Sequence, residues 1–96
     1  MYTVKLLKQA EVDFAEACEW YEGERIGLGT RFYNAVSGKL NRIESNPLHY
    51  NVRFSEIYRV AKVKGFPYVI VYRVNQKTKL VYVASIFHTS RNPSKF

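Results

Sequence analysis

The spacing of apolar positions changes twice along the chain. From Tyr2 to Leu7 side chains alternate in twos, Tyr2, Val4 and Leu6 on one side and Thr3, Lys5 and Leu7 on the other, as a first strand requires. From about Ala10 the repeat lengthens. Ala10, Phe14, Ala17/Cys18 and Tyr21 recur every three to four residues, the buried face of a helix ending near Glu22. Gly23 and Gly27 bracket a short connection. Leu28, Phe32, Val36, Leu40 and Ile43 then mark a second amphipathic helix from about Leu28 to Ser45. It stops at Asn46-Pro47, because proline disfavours helical geometry at the preceding residue. Gly38 inside it costs on the order of 1 kcal/mol relative to alanine, an expense that close approach of the first helix would explain. So short a link predicts an antiparallel helix hairpin.

After Pro47 the period returns to two. Leu48–Glu56 reads as an irregular loop, Tyr58–Lys64 alternates, and Lys64-Gly65-Phe66-Pro67 supplies a turn. Tyr68–Val74 is nearly all β-branched or aromatic, Asn75–Lys79 is a polar connection, and Leu80–Phe87 is a further strand. Short links between rich strands predict an antiparallel meander. The order is β-α-α-β-β-β, an α+β two-layer fold with the helix hairpin covering one face of the sheet. Residues 1–96 form one domain in this reading, since a chain of 96 residues buries roughly two-thirds of its unfolded surface in a single core.

Charge adds an asymmetry. Fifteen Lys+Arg stand against eight Asp+Glu, a net charge of +7. Residues 1–48 hold six basic and seven acidic side chains, whereas residues 49–96 hold nine basic ones and Glu56 alone. The acids Glu11, Asp13, Glu16, Glu19, Glu22 and Glu24 run without an intervening base and read as the solvated side of the first helix. The basic half, interleaved with Tyr and Phe, favours an anionic partner: nucleic acid, the ribosome or an acidic protein. A single cysteine, Cys18, excludes an internal disulfide and lies in an apolar stretch, so it reads as a buried thiol. His49 and His88 stand alone, without zinc-ligand spacing, and neither a metal nor another cofactor is required. No apolar run is long enough to cross a membrane, and the N-terminus lacks a signal-peptide pattern. These features point to the cytoplasm.

Candidate chemistry lies on the strands. A turn centred on Gly65-Phe66 sets Val63 against Val69 and Arg59 against Arg73, two like charges that water, a carboxylate or a phosphate between them would reconcile. Strand parity puts Lys62 and Lys64 on the face opposite Arg59; there they serve a partner or protect an edge strand from aggregation. His88 and Arg91, three residues apart beside two hydroxyls, pair an imidazole able to move a proton with a guanidinium able to hold a phosphate. No Gly-rich phosphate loop, nucleophile elbow or carboxylate pair accompanies them.

Several pieces occur together in a fixed order: Gly27-Leu28-Gly29 with Arg31-Phe32, Asn46-Pro47, Phe66-Pro67-Tyr68 leading into Val71-Tyr72-Arg73, and Ile86-Phe87-His88 with Arg91-Asn92-Pro93. In that order the chain resembles the RelE/ParE superfamily of bacterial type II toxins, often called plasmid-stabilisation proteins. The resemblance implies a growth-inhibiting toxin neutralised by a cognate antitoxin, whose acidic segment folds on binding and through which the pair contacts operator DNA. It also implies one of two targets. A ParE-like toxin inhibits DNA gyrase, with Arg59, Lys62, Lys64, Arg73, His88 and Arg91 available to bind target or antitoxin. A RelE-like toxin is a metal-independent endoribonuclease acting on mRNA at the ribosome, with His88, Arg91, Arg59 and Lys62 as its catalytic candidates. Val69 and Thr89 stand where that nuclease branch carries arginines, and Lys95-Phe96 where it carries a tyrosine. Phe66-Pro67-Tyr68 and the His88 to Pro93 ending look more like the ParE side.

Overall fold

The computed structural model describes residues 1–90, apart from the side chain of Phe54. Arg91, Lys95 and Phe96 therefore lie outside the described residues. The elements are β1 (Thr3–Leu6), α1 (Lys8–Glu24), α2 (Leu28–Ser45), β2 (Val52–Phe54), β3 (Tyr58–Lys62), β4 (Tyr68–Asn75) and β5 (Leu80–His88). They form a helix hairpin packed on a five-stranded sheet of order β1-β5-β4-β3-β2. The expected α+β layering and the antiparallel meander, now β3-β4-β5, are both present. The sheet is mixed, because β1 lies parallel to β5, with Thr3 beside Leu80 and Leu6 beside Val83.

The stretch expected to be an irregular loop contains β2. It pairs with β3 through Val52 and Arg59 and through Phe54 and Tyr58. The reversal between them carries Ser55 and Glu56 at positive φ, 54° and 59°. Without glycine or asparagine there, the sequence lacks the usual hairpin signal.

The core lies between the helices and one sheet face. Tyr21 of α1, Phe32 of α2, Phe66 of the β3–β4 turn and Tyr68 of β4 form its aromatic centre. The Phe32 ring lies 4.9 Å from Tyr68, 5.0 Å from Tyr21 and 5.1 Å from Phe66, edge-on or tilted to each. Val36, Ile43, Ile70, Tyr72, Val81 and Val83 are fully buried around them.

This burial fixes the strand register, and it corrects the expected one. Val63 donates its N–H to the carbonyl of Tyr68 at 2.9 Å, so the four residues Lys64–Pro67 form the connection. Lys62 then faces Val69, Arg59 faces Tyr72, and Arg73 faces Tyr58. Arg59 and Arg73 are not opposed. The observed register turns the bulky Tyr68, Ile70 and Tyr72 inward with Ala61 and Val63; a one-residue slip would send one set to the solvent side.

The close helix approach is at Gly29, not at Gly38. A Cβ on Gly29 would fall 2.7 Å from the Cys18 carbonyl oxygen and 2.9 Å from the Glu22 Cβ, whereas one on Gly38 would meet nothing within 4 Å. Glu22 explains why the hairpin closes here. Its carboxylate accepts the N–H groups of Gly27 (3.0 Å) and Gly29 (3.0 Å), an anion seated on the unpaired amides that begin α2. Gly27 itself holds φ at 89°, a left-handed conformation suited to glycine.

After α2 the chain is strapped to the same side of the sheet. Tyr72 donates its buried hydroxyl to the Pro47 carbonyl at 2.7 Å, and its neighbour Arg59 donates to the Tyr50 carbonyl at 2.6 Å. Lys39 of α2 adds a bond to the Tyr50 hydroxyl at 3.3 Å.

Two predictions follow from this packing. Gly29→Ala should lower stability by about 1–3 kcal/mol through overpacking, whereas Gly38→Ala should raise it by about 1 kcal/mol through helix propensity; urea titrations of both variants measure the opposite signs. The second concerns Tyr72, whose burial pushes its phenol up to about 12, with Arg59 opposing the shift and Tyr50 adding to it. The folded state holds this proton more tightly than the unfolded chain, so the contribution is intact below pH 10 and is lost as pH rises towards 12. Tyr72→Phe should remove that part of the alkaline decline and cost about 1 kcal/mol at neutral pH, as read from melts across the pH range.

Candidate functional site

The helices cover the inner face of the sheet, so alternation along the strands assigns the remaining side chains to the outer face. Register places Lys5 beside Tyr82, Tyr82 beside Arg73, and Arg73 beside Tyr58, one row crossing β1, β5, β4 and β3. Cation and aromatic alternate along this row. The Arg73 guanidinium lies 4.5 Å from the centre of the Tyr82 ring, a cation–π contact that holds it without neutralising it. A second row sets Lys62 beside Val69 and Val69 beside Phe87. Lys64 is exposed in the connection beyond β3. Among the described residues no charged side chain is buried, so the cations of this face remain available to an anionic surface.

The structure divides the other candidates from this face. Arg59 points to the helix side, where its guanidinium is committed to the carbonyl of Tyr50. His88 also points that way, paired with Tyr68 across the strands, their rings 5.0 Å apart and edge-on. Its Nδ1 accepts the Ser90 N–H at 3.1 Å, which places the proton of a neutral ring on Nε2. Lys62 and Arg73 are thus on one face, and Arg59 and His88 on the other.

His88 borders a groove between α1 and the distal half of β5, a cavity of about 330 Å³ lined also by Asp13, Glu16, Trp20 and Ile86. Asp13 organises its floor. Its carboxylate accepts from Gln9 Nε2 at 2.7 Å, from the Ser85 hydroxyl at 2.9 Å and from the Ile86 backbone N–H at 3.1 Å. Trp20 is half exposed beside it.

Asp13 and Glu22, expected on the solvated acidic side of the first helix, both make structural bonds instead. A signal was present for Asp13: it falls three residues after Ala10 and four before Ala17, within the buried stripe of α1. Glu22 offered no such signal, because its partners are backbone amides across a turn. Cys18 is half-buried between the helices, and burial pushes its thiol up, away from a reactive thiolate. Among the described residues no three His, Cys, Asp or Glu side chains gather in a way that could hold a metal ion. No helix there is long and apolar enough to cross a membrane.

The fold is shared with known structures. The chain from a structure of the chromosomal ParDE toxin–antitoxin system of P. aeruginosa superposes with a TM-score of 0.77 at 15% identity, covering 92% of this chain and 96% of that one. A mutant of E. coli toxin RelE, solved in complex with an antitoxin RelBc peptide, gives a TM-score of 0.69 at 18% identity, covering 98% of this chain and 92% of that one. No match exists among curated proteins. The family model for the ParE toxin of the type II toxin–antitoxin system, parDE, matches residues 4–93, nearly the whole chain, and this protein belongs to that family.

Proposed function

We propose that this ParE-family protein arrests growth by inhibiting DNA gyrase through the outer face of its sheet, and that a cognate antitoxin holds it inactive. The observation that carries the reading is the row Lys5–Tyr82–Arg73–Tyr58, with Lys62 four residues further along β3 beyond Val60, cations and aromatics left on the face the helices do not cover. Such a surface steers an anionic partner and orients it by stacking. Antitoxin and gyrase both fit as occupants in turn, and competition for one face would account for neutralisation. The two solved relatives are drawn from a ParDE system and a RelE–RelBc complex, which supports an antitoxin partner here as well. Operator DNA is then contacted through the antitoxin, and the protein acts in the cytoplasm, where gyrase and DNA are found.

The second reading, a ribosome-dependent endoribonuclease, has less support. It needs Arg59, Lys62 and His88 around one scissile phosphate, and these side chains divide between the two faces of the sheet. Arg59 would also have to leave its 2.6 Å bond to the Tyr50 carbonyl.

Purified protein should block ATP-dependent supercoiling of relaxed plasmid by gyrase. A Lys62→Glu/Arg73→Glu double variant with an unchanged circular-dichroism spectrum should need about tenfold more protein for the same block. Full supercoiling in the presence of excess wild-type protein would contradict the proposal, and mRNA breaks at the ribosomal A site after expression without antitoxin would favour the nuclease instead.

A further inference from the structure

The acids of this chain are confined to one layer. Seven of the eight Asp and Glu residues lie on the two helices, and the eighth, Glu56, lies in the β2–β3 reversal, so no strand carries a carboxylate side chain. The outer sheet face is therefore cationic without local compensation, and its cations are set among rings. Tyr58 and Lys62 of β3, Arg73 of β4, Tyr82 and Phe87 of β5 and Lys5 of β1 share that face by register. Its floor is apolar: Val69 and Val71 are only 9% and 4% exposed, yet they lie outside the core cluster beneath the helices. Strand spacing sets Tyr82 and Tyr58 about 10 Å apart with Arg73 between them, and Phe87 roughly 15 Å along β5 from Tyr82. Arg73 holds its guanidinium 4.5 Å from the Tyr82 ring centre, so a fixed charge and a π surface are presented together.

We propose that the outer face is a platform for single-stranded DNA, with Tyr82, Tyr58 and Phe87 stacking on bases and Arg73, Lys62 and Lys5 taking the phosphates between them. The inference rests on the gyrase reading above and names what the face meets in that complex, an unpaired stretch of the DNA that gyrase handles. Charge alone suits any anion, and the rings decide among them. An acidic protein segment is met by cations and gains little from three rings spaced over an apolar floor. A duplex hides the faces of its bases in its own stack. An unpaired strand alternates π faces with phosphates, which is the alternation this surface offers. Every base has a π face, so stacking tolerates any sequence, and the platform selects unpaired DNA rather than a particular site.

Fluorescence anisotropy of labelled twelve-nucleotide strands tests this on the full chain, without gyrase. Oligothymidylate should bind about tenfold more tightly than an abasic strand with the same phosphates, since each stacked base adds to the affinity. Tyr82→Leu, with its circular-dichroism spectrum unchanged, should remove about that factor and leave the salt dependence as it was. Arg73→Gln should instead lower the logarithmic salt slope by about 0.7. Tyr33→Leu, which deletes a half-exposed ring on the helix hairpin, should change neither. Equal affinity of the wild-type protein for the abasic strand and oligothymidylate would overturn the proposal, and so would indifference to Tyr82→Leu. Displacement of oligothymidylate by a twelve-residue polyglutamate at equal concentration would overturn it in favour of an acidic protein, and tighter binding of oligouridylate would do so in favour of RNA. Failure here leaves a supercoiling block standing, with a protein surface of gyrase as the occupant. Binding here without a supercoiling block leaves the DNA platform standing alone.

Discussion

The interlocking of Tyr21, Phe32, Phe66 and Tyr68 is the contact on which the rest of the structure depends. Each ring comes from a different segment, α1, α2, the β3–β4 connection and β4, and Phe32 touches the other three at 4.9–5.1 Å. Deleting a buried ring of this kind costs roughly 3–5 kcal/mol, against a typical total stability of about 5–15 kcal/mol. The cluster fixes which face of β4 turns inward. That choice in turn decides which side chains of β3 and β5 share the opposite face through the strand register, which on β5 shifts by one residue between the partners of Val71 and Tyr72.

Charge follows from the same constraint. The helices supply most of the acids, and two of these are drawn into internal bonds: Glu22 on the amides of Gly27 and Gly29, Asp13 on Ser85 and Ile86. Among the described residues the outer-face cations Lys62 and Arg73 have no such internal bond to a carboxylate or carbonyl. Arg73 stacks on Tyr82, and Lys62 stands beside Val69. Arg59 is the exception, because its strand position turns it inward and its guanidinium is satisfied by a backbone carbonyl. A basic outer face and an acidic groove thus arise from one layering rule applied to an uneven sequence.

Periodicity made most of the architecture legible. The second helix falls at Leu28–Ser45 as expected, and the three rich strands pair in chain order. What escaped were features set by a single residue of register or by backbone chemistry. The β3–β4 connection spans four residues, and the one-residue difference separates Arg59 from Arg73. β2 escaped because its reversal uses Ser55 and Glu56 at positive φ, residues that carry no turn signature. Gly38 stands out inside a helix, while the glycine under steric compulsion, Gly29, stands in the sequence only as part of Gly27-Leu28-Gly29 at the start of the second helix. The candidate surface was half legible: Lys62 and Arg73 are on the outer face, but the groove needed the early departure of β1, which no pattern in the sequence announces.

The claim that the uncovered face does the work is tested most directly by lysine footprinting of the protein bound to gyrase. Reductive methylation, read by mass spectrometry, compares Lys5 and Lys62 on the outer face with Lys8 at the start of α1. Protection of Lys5 and Lys62, with Lys8 still reactive, is the expected result. Protection of Lys8 with Lys5 and Lys62 still fully modified would place gyrase on the helices and contradict the account.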